Sequence, residues 1–130
     1  MLSELTPMAT LATADIERSR KYYEGMLGMS EMPESAESQL PGGVTYKCGD
    51  GGIFVYESEY AGTNKATSVT FTASDDQFDR EVNRLRQKGV SFLTFDFVGM
   101  EWEGEVAKMG GMRAVWFTDP DGNILNLSTV

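Results

Sequence analysis

The chain has 130 residues, of which 41% are hydrophobic, and its 11 basic and 20 acidic side chains give a formal net charge of −9. This negative charge repels phosphate backbones, so it argues against nucleic-acid binding and would favour a cationic ligand. No apolar run approaches the roughly 18 residues that a membrane-spanning helix needs. With no histidine and one cysteine, Cys48, a His/Cys zinc site and a disulfide framework are excluded, and we expect one soluble cytoplasmic domain over residues 1–130.

The first half of the chain, residues 1–60, predicts one helix and about four strands. Strand signals occur at residues 8–14, 30–39, 44–48 and 53–57. Between the first two, Asp15 is placed as a helix N-cap and Gly28 as the glycine that ends the helix. The small polar residues at 61–65 are the best candidate for a boundary between modules.

The second half, residues 66–130, repeats this order. Strand signals recur at residues 68–73, 90–95, 112–118 and 124–128. Asp75 is expected to begin the second helix and Gly89 to end it. Residues 99–111, which carry Trp102 among several glycines, predict an irregular insertion.

Three landmarks recur in the same order in the two halves. They are the helix-starting aspartate, the helix-ending glycine and an Asp-Gly turn, at Asp15 and Asp75, Gly28 and Gly89, and Asp50 and Asp121. Two copies of this size indicate duplication within one domain, since a solenoid needs three or more repeats. Two such units can curl their sheets around a shared cleft.

Two motifs at opposite ends of the chain resemble a known family. They read DIERSRKYYE followed by LG at residues 15–28, and WFTDPDGN at residues 116–123. They are similar to motifs of the vicinal oxygen chelate superfamily, the group of glyoxalase I, bleomycin resistance proteins and extradiol dioxygenases. The resemblance covers nearly the whole chain. It implies an α+β fold of two βαβββ modules, residues 1–60 and 66–130, which form a cup-shaped mixed β-sheet with the helices outside, often as a homodimer.

The same resemblance locates the positions that hold the metal ion in metal-dependent members. They are Met8, Val55, Ser68 and Asn126, where the family usually has His or Gln and Glu. Methionine and valine are poor ligands for a hard divalent cation, and serine and asparagine are weak neutral ones. We therefore expect no metal and no cofactor, and metal-dependent glyoxalase or dioxygenase chemistry is not supported by the residues.

A ligand cleft is what the resemblance then implies. Its predicted lining is Met8, Thr10, Tyr46, Val55, Ser68, Thr70, Trp116 and Asn126. Tyr46 and Trp116 are as consistent with ordinary sheet core, whereas the amide of Asn126 needs partners that a pocket opening supplies. Trp102 is interpreted either as a lid over this cleft or as a dimer contact.

Two functions from different classes remain open. The first is a metal-independent small-molecule-binding protein of the glyoxalase/bleomycin-resistance type, a homodimer that sequesters a cationic or aromatic compound. The alternative is a glyoxalase-like lyase or isomerase, or a dioxygenase-type enzyme, with a metal site unlike the family's. Glu57 is the one candidate base for the alternative, so the residues favour binding over catalysis.

Overall fold

A computed structural model describes residues 1–4, 8–32 and 42–129 of the chain. The fold is α+β and consists of two compact units. The first unit is Met1–Asn64 together with Pro120–Gly122, and the second is Lys65–Asp119 together with Asn123–Val130. None of the described helices is long and apolar enough to span a membrane.

The described part of the first unit contains one α-helix and a three-stranded sheet. Its elements are a 3₁₀ turn at Leu2–Glu4, strand β1 (Ala9–Thr13), helix α1 (Ile16–Arg20), a π-helical turn (Lys21–Met26), strand β2 (Gly43–Cys48) and strand β3 (Gly51–Glu57). The strand order is β1-β3-β2, with β1 parallel and β2 antiparallel to β3. Most of the strand and loop predicted over residues 30–39 lies outside the described residues.

Helix α1 begins where the sequence predicts. Asp15 has an extended backbone, and its carboxylate accepts hydrogen bonds from the backbone N–H groups of Glu17 and Arg18 at 3.1 and 3.2 Å. The following turn widens to a π-helix that buries the adjacent rings of Tyr22 and Tyr23. The predicted terminator, Gly28, has a φ of 71°, a left-handed conformation that glycine adopts at low cost.

The turn Pro120–Gly122 is part of the first unit through the carboxylate of Asp121. This side chain is 2% exposed. It accepts hydrogen bonds from the Thr13 hydroxyl at 2.6 Å, the Ala14 backbone N–H at 2.8 Å and the Arg18 guanidinium at 2.6 Å. The buried Ser19 hydroxyl donates to Thr13 at 2.7 Å and extends the network. The buried Asp121 carboxylate thus accepts hydrogen bonds at both oxygens, which offsets the cost of burying its charge.

The second unit contains one long helix and a six-stranded sheet. Its elements are β4 (Thr67–Ala73), α2 (Asp75–Gln87), β5 (Phe92–Leu93), β6 (Glu101–Glu103), β7 (Val106–Met109), β8 (Met112–Thr118) and β9 (Ile124–Thr129). The strand order is β4-β9-β8-β7-β6, and β5 pairs with β8. Strand β4 runs parallel to β9, whereas β8 is antiparallel to both β9 and β7.

Helix α2 begins at Asp75, as the sequence predicts, and the residue before it supplies the cap. Ser74 is the N-cap, because its backbone is extended while Asp75 is already helical. The Ser74 hydroxyl accepts from the Gln77 backbone N–H at 3.3 Å, and the Gln77 side chain accepts from the Ser74 backbone N–H at 3.0 Å. This reciprocal capping box satisfies two donors that a helix start leaves open.

Two predictions for the second half are wrong, one in the length of a strand and one in the type of structure. The strand expected over residues 90–95 is limited to Phe92–Leu93, where it pairs with β8. The region predicted as an irregular insertion, residues 99–111, instead forms the β6–β7 hairpin. Its turn passes through Gly104, whose φ of 62° suits a tight two-residue connection.

Each sheet has one face covered by its helix. In the second unit, Phe78 of α2 lies under the guanidinium of Arg113, 4.6 Å from the ring centroid, so α2 covers the face that carries Arg113, Val115 and Phe117. In the first unit, Tyr23 stacks on Tyr46 with ring centroids 5.6 Å apart. The covered faces hold the large buried apolar side chains of the strands, such as Val55, Val115 and Phe117.

Candidate functional site

The face of the second sheet that α2 does not cover, which we call the uncovered face, brings three predicted binding residues into one row. The register pairs Thr70 of β4 with Asn126 of β9, and Asn126 with Trp116 of β8. Directly paired residues project to the same side of a sheet, so these side chains form a line across three adjacent strands. The odd-numbered neighbours Val115, Phe117, Leu125 and Leu127 are buried on the opposite face. Thr70, Trp116 and Asn126 therefore share one face of the sheet, and their contact with a ligand stays a prediction.

Asn126 is held in place by a neighbouring strand. It is 6% exposed, and its Nδ2 donates to the Val115 carbonyl at 3.1 Å. No donor among the described residues bonds its Oδ1. An amide fixed at one end offers an oriented acceptor at the other, and a ligand N–H or O–H could bond there.

Trp116 begins a cluster of three aromatic rings that Trp102 and Phe95 complete. The ring centroids are 4.9 Å apart for Phe95 and Trp116, 5.5 Å for Phe95 and Trp102, and 6.2 Å for the two tryptophans. All three pairs are inclined to one another, an arrangement that aromatic quadrupoles favour. We call these three residues the aromatic cluster. Trp102 reaches it from the β6 strand of the hairpin, while Phe95 lies in the segment that precedes that hairpin.

Beside the aromatic cluster lies an open groove of about 360 Å³. Its lining residues are Asp96, Phe97, Val98, Met100 and Trp102. Phe97 is 60% exposed and Val98 95% exposed, an unusual concentration of apolar surface on one short segment. Sequence reasoning missed this segment because residues 94–97 carry no regular secondary structure, and the signal available was the spacing of Phe95 and Phe97 around Asp96.

Ser68, the fourth predicted residue of the second unit, lies at a break in regular pairing. The β4–β9 register shifts between Thr67 and Val69, so Ser68 occupies the irregularity rather than a paired position. Its side chain is half-buried. Its role in ligand contact stays a prediction.

In the first unit the structure does not bring Tyr46 and Val55 to the face of Thr10. Thr10 pairs with Phe54, so those two side chains share the uncovered face, whereas Val55 and Tyr46 project to the opposite face. Both are 0% exposed, and Tyr46 packs against the ring of Tyr23. The predicted lining is corrected at these two positions, which belong to the core beneath the helix.

The error has a simple physical cause. Val55 and Asn126 are equivalent when residues are counted from the turn that precedes each strand. In the strand register, however, Phe54 pairs with Thr10 in the same way that Asn126 pairs with Thr70. A shift of one residue moves a side chain to the other face of a strand. Phe54, stacked on Tyr56 with centroids 5.6 Å apart, is therefore the residue that occupies the equivalent position in the first unit.

Met8 precedes β1, lies beside Gly52 of β3, and is half-buried. A Cβ added at Gly52 would come 3.3 Å from the Met8 sulfur and 2.9 Å from the Tyr46 carbonyl oxygen. Glycine is required at this point of β3, because any side chain would collide with the adjacent backbone. The close approach lets the Met8 thioether rest on the strand.

Tyr46 still has a polar connection at its tip. Its hydroxyl donates to the carboxylate of Glu24 at 2.9 Å, and Arg20 lies 3.5 Å from the same carboxylate and 2.9 Å from that of Glu31. Burial, followed by the hydrogen bond to Glu24, raises the pKa of Tyr46 above its ordinary value. This network stabilises the core of the first unit and keeps the phenol protonated.

The described positions that correspond to the family's metal ligands carry no donors that fit the metal ion of the metal-dependent members. The uncovered positions offer a thioether at Met8, a phenyl ring at Phe54, a hydroxyl at Ser68 and an amide at Asn126, none of which is a strong ligand for a hard cation. Within residues 1–4, 8–32 and 42–129, no three His, Cys, Asp or Glu side chains converge on a point that could hold a metal ion. Aromatic stacking and hydrogen bonding are the chemistry that these faces provide.

Comparisons with known proteins agree with this architecture. A family model described as Glyoxalase/Bleomycin resistance protein/Dioxygenase superfamily matches residues 6–127. A comparison with curated proteins gives no match.

Among solved structures, a putative glyoxalase family protein from Bacillus anthracis is similar over 96% of this chain and 93% of its own, with 18% identity and a TM-score of 0.66. The fosfomycin resistance protein FosX from Mesorhizobium loti is similar over 100% of this chain and 94% of its own, with 21% identity and a TM-score of 0.66. A lactoylglutathione lyase from Agrobacterium tumefaciens is similar over 96% of this chain and 92% of its own, with 16% identity and a TM-score of 0.67. At these identities the likeness concerns the fold.

Proposed function

Because this chain belongs to the Glyoxalase/Bleomycin resistance protein/Dioxygenase superfamily, we propose that it is a binding protein that holds a small aromatic or cationic molecule without a metal ion. The names of its structural relatives include a resistance protein and a lyase, so the fold alone assigns no single activity. The proposal therefore rests on the residues of the uncovered face.

The observation that carries the proposal is the row Thr70, Asn126 and Trp116 with its continuation into Trp102. A planar ring can stack against the tryptophans, while the Oδ1 of Asn126 and the Thr70 hydroxyl offer hydrogen bonds at fixed positions. An apolar surface with a few oriented polar groups is typical of small-molecule sites. Acid–base or metal catalysis would need titratable groups that this row does not contain.

Assembly and location form part of the same proposal. We expect a homodimer, as the family resemblance implies, and a cytoplasmic protein, since one cysteine suits a reducing compartment. Trp102 is assigned to ligand contact rather than to the dimer contact because it packs on Trp116 of the row.

Tryptophan fluorescence tests the proposal directly, since both tryptophans of the chain belong to the aromatic cluster. Titration with a panel of neutral and cationic aromatic compounds should give saturable quenching for at least one compound. Trp116→Leu should then lower the affinity for that compound about tenfold, because a stacking contact and its buried area together contribute about 1.4 kcal/mol to binding. Isothermal calorimetry reports the affinity of the variants.

Tyr60→Leu is the matched control, because Tyr60 is an aromatic side chain that is 76% exposed and belongs to the first unit. It should leave the affinity unchanged. Absence of any response across the panel would refute the proposal. Elemental analysis of protein purified without chelators gives a second check, since a stoichiometric metal ion would instead support an enzyme with a metal site of its own kind.

A further inference from the structure

We infer that the ligand of the aromatic row carries an organic ammonium group, and that this group binds in the groove between Asp96 and Trp102. The inference rests on the proposed function and deepens it. It names the charge and chemical class of the ligand and adds residues outside the row.

The groove is continuous with the aromatic cluster through one shared residue. Trp102 lines the groove and also packs on Phe95 and Trp116, so one ligand can contact the row with its ring and the groove with a substituent. The volume of about 360 Å³ is ample for a trimethylammonium head. Its apolar walls are the side chains of Phe97, Val98 and Met100.

The aromatic walls suit a cation better than a neutral group of the same shape. A cation within about 6 Å of a tryptophan or phenylalanine centroid is attracted by the negative face of the ring. Trp102 and Phe97 both line the groove, and Phe97 is largely exposed, so its ring face is open to a ligand. Methylated ammonium groups lose little hydration on entering such a site.

The charge of the surrounding segment points the same way. Between residues 91 and 107 the chain carries Asp96, Glu101, Glu103 and Glu105 and no lysine or arginine. Lys108 forms an ion pair with Glu103 and is also the cross-strand partner of Glu101, and both glutamates project to the face of β6 opposite Trp102. Asp96 lies in the groove lining itself. An anionic ligand would be repelled here, whereas a cation gains both the local carboxylate and the negative field of the whole chain.

An isosteric pair of probes tests the inference. (4-Hydroxyphenyl)trimethylammonium and 4-tert-butylphenol have the same shape and the same phenol, and they differ in a positively charged nitrogen against a neutral carbon. Calorimetry at about pH 6.5 should give at least a tenfold tighter dissociation constant for the cation. Asp96→Asn should lower the affinity for the cationic probe about threefold, which is the effect expected of one exposed charge contact. It should leave the affinity for the neutral probe unchanged.

Asp50→Asn serves as the control, because Asp50 is an exposed carboxylate in the β2–β3 turn of the first unit. It should change neither affinity. Equal binding of the two probes would overturn the ammonium inference while the proposed binding function stands. If neither probe binds and no compound of the aromatic panel changes the tryptophan fluorescence, the proposed function is refuted as well.

A second copy of the chain is the competing occupant of the groove. Light scattering of the wild type and of Phe97→Ser over a range of concentrations separates the two. If Phe97→Ser abolishes self-association and leaves cation binding intact, the groove is a contact between copies and the inference is overturned. Loss of cation binding with unchanged assembly supports it.

Discussion

Replacement of Asp121 by alanine should destabilise the protein far more than replacement of an exposed carboxylate such as Asp50. The substitution removes an acceptor from the buried Thr13 hydroxyl, from the part-buried Ala14 backbone N–H and from the half-exposed Arg18 guanidinium. A buried donor left without a partner costs about 1–3 kcal/mol, whereas a donor that water can reach costs less.

The Arg18 part of this loss is small. Its side chain is 46% exposed, so Arg18→Met should cost about 1 kcal/mol or less. We therefore expect about 2–4 kcal/mol for Asp121→Ala, of which the largest part comes from the buried Thr13 hydroxyl. For a chain of this length that corresponds to a fall in Tm of roughly 6–16 °C.

Circular dichroism melting and urea unfolding measure the effect. Asp50→Ala is the control, and this exposed turn residue should change the free energy of unfolding by less than about 0.5 kcal/mol. If Asp121→Ala is too unstable to purify, Asp121→Asn retains an acceptor oxygen and should give an intermediate loss. A Tm for Asp121→Ala within about 3 °C of the control would show that the donors find water instead, and would refute the reasoning.

Three smaller effects follow from other contacts. The raised pKa of Tyr46 favours the protonated phenol in the folded state, so its stabilising contribution is present below about pH 10 and is lost as the pH rises further. The urea midpoint should therefore fall more steeply above about pH 10 in the wild type than in Tyr46→Phe. Burial raises the pKa of the Cys48 thiol, so iodoacetamide at about pH 8 should alkylate it several-fold more slowly than free cysteine, a difference that urea abolishes. Ser74→Ala should cost about 1 kcal/mol in urea unfolding through loss of the capping box, and an unchanged midpoint would contradict that.

Most of the fold could be predicted because local signals and tertiary structure agree. The cap at Asp15, the left-handed Gly28 and the strand over residues 112–118 follow from rules that act within a few residues. The β6–β7 hairpin was not predictable in the same way. Its strands are short, and pairing with β8 rather than intrinsic preference determines them.

The candidate site was predicted where pairing in the chain is regular and missed where it depends on register. Asn126 was placed by the family resemblance, and the strand pairing puts Trp116 on the same face. Val55 was assigned to the wrong face because a count from the turn cannot detect a one-residue offset in strand pairing. The groove residues around Phe97 lacked any periodic pattern.

The position of Asp121 in the first unit has a consequence for how this duplicated chain can be divided. The polar linker at residues 61–65 is the natural place to cut the sequence into halves, but a fragment ending there would lack the carboxylate that Thr13, Ala14 and Arg18 bond. The amino-terminal half alone would therefore lack a buried carboxylate that a turn more than a hundred residues downstream supplies.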